Sequence, residues 1–108
     1  MKSCGRFLLA LVLSASSIGI TLSLDSYEAA DQLADVLVSE DLCGLSFNQD
    51  AIAAWIEANV AADDMEFSGN LSSHISLSEY TLKDISTSAK TAHCAQIRRV
   101  AKNYGFIE

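Results

Sequence analysis

Between Lys90 and Phe106 the chain reads KTAHCAQIRRVAKNYGF, which sets a histidine beside a cysteine, adds two adjacent arginines and ends on two aromatics around a glycine. His93 and Cys94 are the residue types of a thiol nucleophile and its base. That chemistry needs a free thiol of lowered pKa and an imidazole that reaches it in space. Neighbours on a helix point about 100° apart, so adjacency alone does not bring the two together. The chain also lacks a C-x-x-C pair, the usual signature of a redox-active cysteine. Arg98, Arg99, Lys102 and Tyr104 are instead the candidate contacts for a partner. Arg98 and Lys102 lie one helical turn apart and repel each other mildly, so they call for carboxylates from the first or second helix, or for an anionic partner.

Two further stretches carry residue types that could do chemistry. His74 lies between Leu71 and Ile75 on an apolar face, where a hydrogen-bonded core histidine is the simpler expectation than a ligand or a base. Residues 64 to 75, DMEFSGNLSSHI, partly follow a calcium loop, with Asp64, Glu66 and Ser68 at positions 1, 3 and 5 and Gly69 at 6. Ile75 stands where a bidentate glutamate should close the shell, so a solvated acidic helix start is expected there and no metal site. Asn70 begins an N-L-S glycosylation triplet, relevant only in a host that glycosylates exported chains. The sequence contains no phosphate loop, serine elbow or H-E-x-x-H, and the expectation is a protein without catalytic residues or cofactor.

Charge is segregated along the chain. Twelve of the fourteen carboxylates lie between Asp25 and Glu79, a span without a single Lys or Arg, whereas Lys83, Lys90, Arg98, Arg99 and Lys102 all follow it. Such an acidic body repels nucleic acid and anionic lipid, and Arg98, Arg99 and Lys102 with Tyr104 are too few to reverse that, so no nucleic-acid partner is expected. The basic C-terminal segment is read most simply as the electrostatic partner of the acidic half.

The elements that position these residues begin with a leader. Lys2 and Arg6 precede the apolar run FLLALVL, and the small residues of SASSIG follow, the layout of a secretory signal peptide cleaved between Ser16 and Leu24. Ser14, Ser16, Ser17, Gly19, Thr21 and Ser23 dilute the apolar stretch below a comfortable membrane span, so no stable insertion is expected after cleavage. Residues 1–24 are therefore assigned to the leader and 25–108 to one domain. Removal of the leader takes Cys4 with it and leaves Cys43 and Cys94. An even pair in an exported chain is expected to form a disulfide, which a domain of this size needs as an extra constraint.

The chain has no proline, and its apolar residues recur at helical spacing. The reading is all-α: a small bundle of about four helices with one disulfide. Ala30, Leu33, Ala34, Leu37, Val38 and Leu42 define a first helix over 26–42, capped by Asp25 with Glu28 and ended by Gly44. Asn48 caps a second helix that runs toward Ala62, with Phe47 stapled onto Ile52. Asp63, Asp64 and Glu66 favour a third start, carried by Phe67, Leu71 and Ile75. Continued to Tyr104, that helix would be about 60 Å long, so a break is required. Ser76 with Glu79 marks the expected one, with a second break or kink at Ser86. Beyond it Leu82, Ile85, Ala89, Ala92, Ile97, Val100 and Tyr104 share a face with Cys94 at its margin, and Gly105 ends the helix.

The segments LCGLSF, VAADDMEF and SAKTAHCAQIRRVAKNYGF resemble a group of small exported helical proteins from alphaproteobacteria. The resemblance covers nearly all of the chain after the leader. It implies a periplasmic, disulfide-bonded helical domain with Cys43 and Cys94 as the shared cysteines, and it carries no catalytic assignment. Some members of the group bear the label signal recognition particle, which the residues here do not support, since they include no GTPase loop and no methionine-rich groove. The functional expectation is a non-catalytic binding or structural module of the cell envelope with a protein partner. The alternative is an acid-stress periplasmic chaperone, in which loss of carboxylate charge at low pH unmasks apolar faces.

Overall fold

Local signals set the ends of the elements. In the computed structural model, which describes residues 25–108, four α-helices follow one another: α1 (Ser26–Leu42), α2 (Gln49–Asn59), α3 (Phe67–Leu82) and α4 (Thr87–Tyr104). The expected leader and Cys4 lie outside the described residues. The Asp25 carboxylate accepts from the Glu28 amide at 2.8 Å, the Asn48 side chain accepts from Ala51 at 3.0 Å, and the Ser86 hydroxyl accepts from Ala89 at 3.1 Å. Each side chain satisfies an amide that the first turn leaves without a partner.

Glycine closes two of the helices in the same manner. Gly44 and Gly105 take φ of 66° and 84°. After α1, the Leu45 amide donates to the Glu40 carbonyl and Gly44 to Asp41; after α4, Phe106 donates to Ala101 and Gly105 to Lys102. This paired pattern satisfies the last carbonyls and needs a left-handed residue at the turn. The reversal after α4 drives Phe106 back into the core, where it is 1% exposed. There its carbonyl accepts from the Asn48 amide at 2.9 Å, so the chain's last residues fasten the start of α2.

Topology follows from which residues meet. Asn70 donates to Ser26, His74 faces Asp31 and Ser78 donates to Asp35, so residue numbers rise together and α3 runs parallel to α1. Gln32 meets Tyr104, Ser39 meets His93 and Cys43 bonds Cys94, so α4 runs antiparallel to α1. α1 is thus the central helix, and α2 is the crossover that a parallel α1/α3 pair requires. Leu33, Ala29, Ala30, Ala34 and Val36 supply the central helix's share of the core, which Phe47, Phe67, Cys94, Ile97, Ala101 and Phe106 complete. α2 has no buried residue of its own; Trp55 lies 5.3 Å from the Tyr104 ring and Phe47 5.6 Å from Phe106.

Three expectations about these elements are corrected. α3 runs unbroken through Ser76, and the chain turns at Lys83–Ser86 instead. At about 24 Å, α3 matches α1 in length, and a break at Ser76 would forfeit the Ser78–Asp35 contact and the far end of the interface. α2 stops at Asn59, with Val60 extended, three residues before Ala62. On α4, Ala89 and Ala92 are exposed, while Cys94, at the expected margin, is buried with Ile97 and Ala101. The packed face is rotated because α1, not a symmetrical bundle interior, receives it.

Candidate binding surface on the last helix

α4 contains four cations, Lys90, Arg98, Arg99 and Lys102, and no carboxylate. All four are exposed. Among the described residues no Lys or Arg lies within 4.0 Å of a carboxylate, and the only acid facing a basic group at that range is Asp31, 3.5 Å from His74. The expected pairing of the basic segment with the acidic half is therefore not formed. Several carboxylates are engaged elsewhere. Asp35 accepts from Ser78, Glu40 accepts from the Phe47 amide at 2.7 Å, Asp64 accepts from the Glu66 amide at 3.0 Å, and Asp25 caps α1. Charge-assisted bonds to amides and hydroxyls are short-range and fix backbone geometry, while the four cations of α4 remain exposed.

The structure divides the candidate cluster. Arg98 reaches across to α1, where its Nη2 donates to the Cys43 carbonyl at 3.3 Å. With Lys90, Thr87 and Thr91 it lines a groove of about 460 Å³ beside Leu42 and the Cys43–Cys94 disulfide. Arg99 turns the other way and lines a separate hollow with Gln96, Asn103 and Tyr104, its Nη1 donating to Gln96 at 3.3 Å. Lys102 lines neither. Tyr104 is half-buried, with its ring between Trp55 and Phe106, so most of it serves the core. Burial pushes its phenol above the ordinary value of 10.0 by disfavouring the charged phenolate.

His93 and Cys94 point to different partners, as residues about 100° apart on a helix must. Cys94 is bonded to Cys43 at 2.03 Å, leaving no thiol at that position. His93 Nε2 lies 2.7 Å from the hydroxyl of Ser39, a contact that sequence reading missed. The same hydroxyl is 2.7 Å from the Asp35 carbonyl. A carbonyl only accepts, so the single hydroxyl proton goes to Asp35 and His93 must donate from Nε2. Ser39 is 0% exposed. With its proton committed to the backbone and no path to solvent, it is a clasp between α1 and α4, not a nucleophile.

His74 is a packed histidine: its ring meets Tyr27 edge-on at 4.6 Å, and its Nδ1 faces Asp31. The stretch with partial calcium-loop spacing is helical from Phe67 onward. Ser68 and the later positions are therefore wound onto a helix and do not curl around a common centre. Between the end of α2 and the start of α3 lies a second groove, of about 510 Å³, lined by Ile56, Val60, Phe67 and Met65 and flanked by Glu57 and Asp64. Met65 is 87% exposed. No family model, curated protein or solved structure matches the chain.

Proposed function

We propose that the chain is a periplasmic, disulfide-bonded helical protein that works by binding, a non-catalytic module of the cell envelope whose contact surface is the cationic side of α4. The observation that carries this reading is the lack of any carboxylate within ion-pairing reach of Lys90, Arg98, Arg99 or Lys102 among the described residues, in a chain with fourteen Asp and Glu. Rim cations of this kind steer an anionic partner and set its orientation. A net acidic domain repels strongly anionic surfaces at long range, so the exposed cations of α4 suit a protein partner with a local acidic patch better than nucleic acid. The disulfide and the sequence's leader pattern support export.

Crosslinking in intact cells, comparing the native chain with an Arg98→Glu/Arg99→Glu variant, tests the surface. Loss of a discrete crosslinked species in the variant is expected. Undiminished crosslinking would remove these arginines from the interface. Fractionation with mass measurement tests the compartment: a product shortened by 16 to 24 residues in the periplasmic fraction is expected from the leader's sequence.

The α2–α3 groove favours a second reading, an acid-stress chaperone. Its lining is apolar and its flanks are carboxylates, so acidification removes charge from around an apolar surface and lets it receive unfolded clients. Suppression of client aggregation at about pH 3, where carboxylates are largely protonated, together with its loss on Met65→Lys or Ile56→Lys, which stay charged there, is the expected outcome. No protection at that pH would discard this reading.

A further inference from the structure

We propose that the groove beside the disulfide is a binding site for a small amphiphilic carboxylate, an organic monoanion with an apolar body. The site is bounded by the end of α1 and by α4 from Thr87 to Arg98, and the buried Cys43–Cys94 disulfide forms part of its lining. Its lining combines apolar surface from Leu42 and the disulfide with two cations, Lys90 and Arg98, and no carboxylate. A few charged groups set in a mostly apolar cleft of about 300–1,000 Å³ is how small-molecule sites are generally built.

Size and donor geometry choose the ligand class. At about 460 Å³, the groove is far too large for a bare inorganic anion, so an ion alone would stay hydrated and gain little. An apolar body of eight or so carbons would displace that water and lie along Leu42 and the disulfide. Arg98 is already oriented, because its Nη2 is held by the Cys43 carbonyl. The remaining edge of its planar guanidinium suits a carboxylate, which accepts two parallel hydrogen bonds. Thr91 spends its hydroxyl proton on the Thr87 carbonyl, which leaves Thr87 as the hydroxyl donor and Lys90 as a second positive charge. This site shares Lys90 and Arg98 with the partner surface proposed above but does not depend on Arg99 or Lys102.

The test is a titration of the isotope-labelled chain, as purified after expression from its full sequence, with octanoate, octanol and acetate in parallel, read by amide chemical shifts. Octanoate is expected to saturate in roughly the millimolar range, shifting amides of Thr87–Thr91, Cys94, Arg98 and Gly44. Octanol should bind at least about tenfold more weakly and acetate should not saturate, since each supplies only half of the recognition. Arg98→Gln should weaken octanoate about tenfold. Lys90→Gln, at an exposed position that folding does not need, should weaken it about threefold and keeps the test decisive if the Arg98 variant fails to fold. Arg99→Glu should leave octanoate binding unchanged even where it abolishes partner crosslinking, so failure of one proposal is distinguishable from failure of the other. Equal binding of octanol and octanoate, insensitivity to Lys90→Gln, or shifts confined to the α2–α3 groove would each overturn the proposal.

Discussion

Opening the Cys43–Cys94 bond releases a covalent loop across 51 residues of sequence separation, and the consequence follows from chain entropy. For a loop of that length the constraint on the unfolded ensemble is worth about 4 kcal/mol at room temperature. A domain of about 84 residues has a net stability of roughly 4–13 kcal/mol, so the bond supplies a third or more of it. Each kcal/mol moves the midpoint of a domain this size by roughly 4–8 °C, which predicts a fall of about 15–30 °C on reduction. Both cysteines are buried, at 7% and 4% exposure, so a double alanine variant would add cavity costs to the effect. Reduction of the native chain avoids this by leaving both sulfur atoms in place. The assay is thermal unfolding followed by helical circular dichroism, oxidised against reduced, with alkylation after the scan to count thiols. A midpoint that falls by less than about 5 °C would refute the reasoning. It would mean that the Ser39–His93 contact and the Phe47–Phe106 packing already hold α4 and its tail against α1.

The remaining predictions address the noncovalent fastenings. Ser39→Ala removes the acceptor for His93 Nε2 across the α1–α4 interface and should lower stability in urea by about 1–3 kcal/mol; a loss below about 0.5 kcal/mol would show that water replaces it. Gly105→Ala meets no atom within 4 Å, so its cost is the left-handed backbone alone, about 1–2 kcal/mol, measurable in the same titration. Alkaline titration should show the Tyr104 phenol ionising above its ordinary value of 10.0. Because its folded pKa is raised, the folded state keeps the proton longer than the unfolded chain. Its contribution is therefore complete below pH 10 and lost as pH rises through the folded value. Tyr104→Phe should remove that alkaline loss while barely changing neutral stability, since the Gln32 contact is 3.5 Å long.

What the sequence determined by itself are features whose causes lie within about four residues of their effects. Asp25, Asn48 and Ser86 start helices because a short acceptor reaches its own N2 or N3 amide. Gly44 and Gly105 end them because only glycine takes positive φ without strain. The disulfide was readable as well: with Cys4 assigned to the expected leader, Cys43 and Cys94 had only each other. The tertiary structure alone decided the rest, because the outcome depended on which distant surface was nearest. Ser76 and Ser86 were both competent caps, and lateral packing on α1 kept α3 whole past the first. His93 found Ser39, 54 residues away, and nothing local to either announces the pairing. The acids were expected to neutralise the basic helix, yet backbone amides and hydroxyls lay closer and took several of them. Lys90 falls on the same side of α4 as the buried Cys94 and Ile97, and it remains exposed because α1 ends at Leu42, which opens the groove it shares with Arg98. Local chemistry fixes where helices begin and stop; the length and direction of the neighbouring helix fix which of their side chains are left facing solvent, and therefore what the protein can bind.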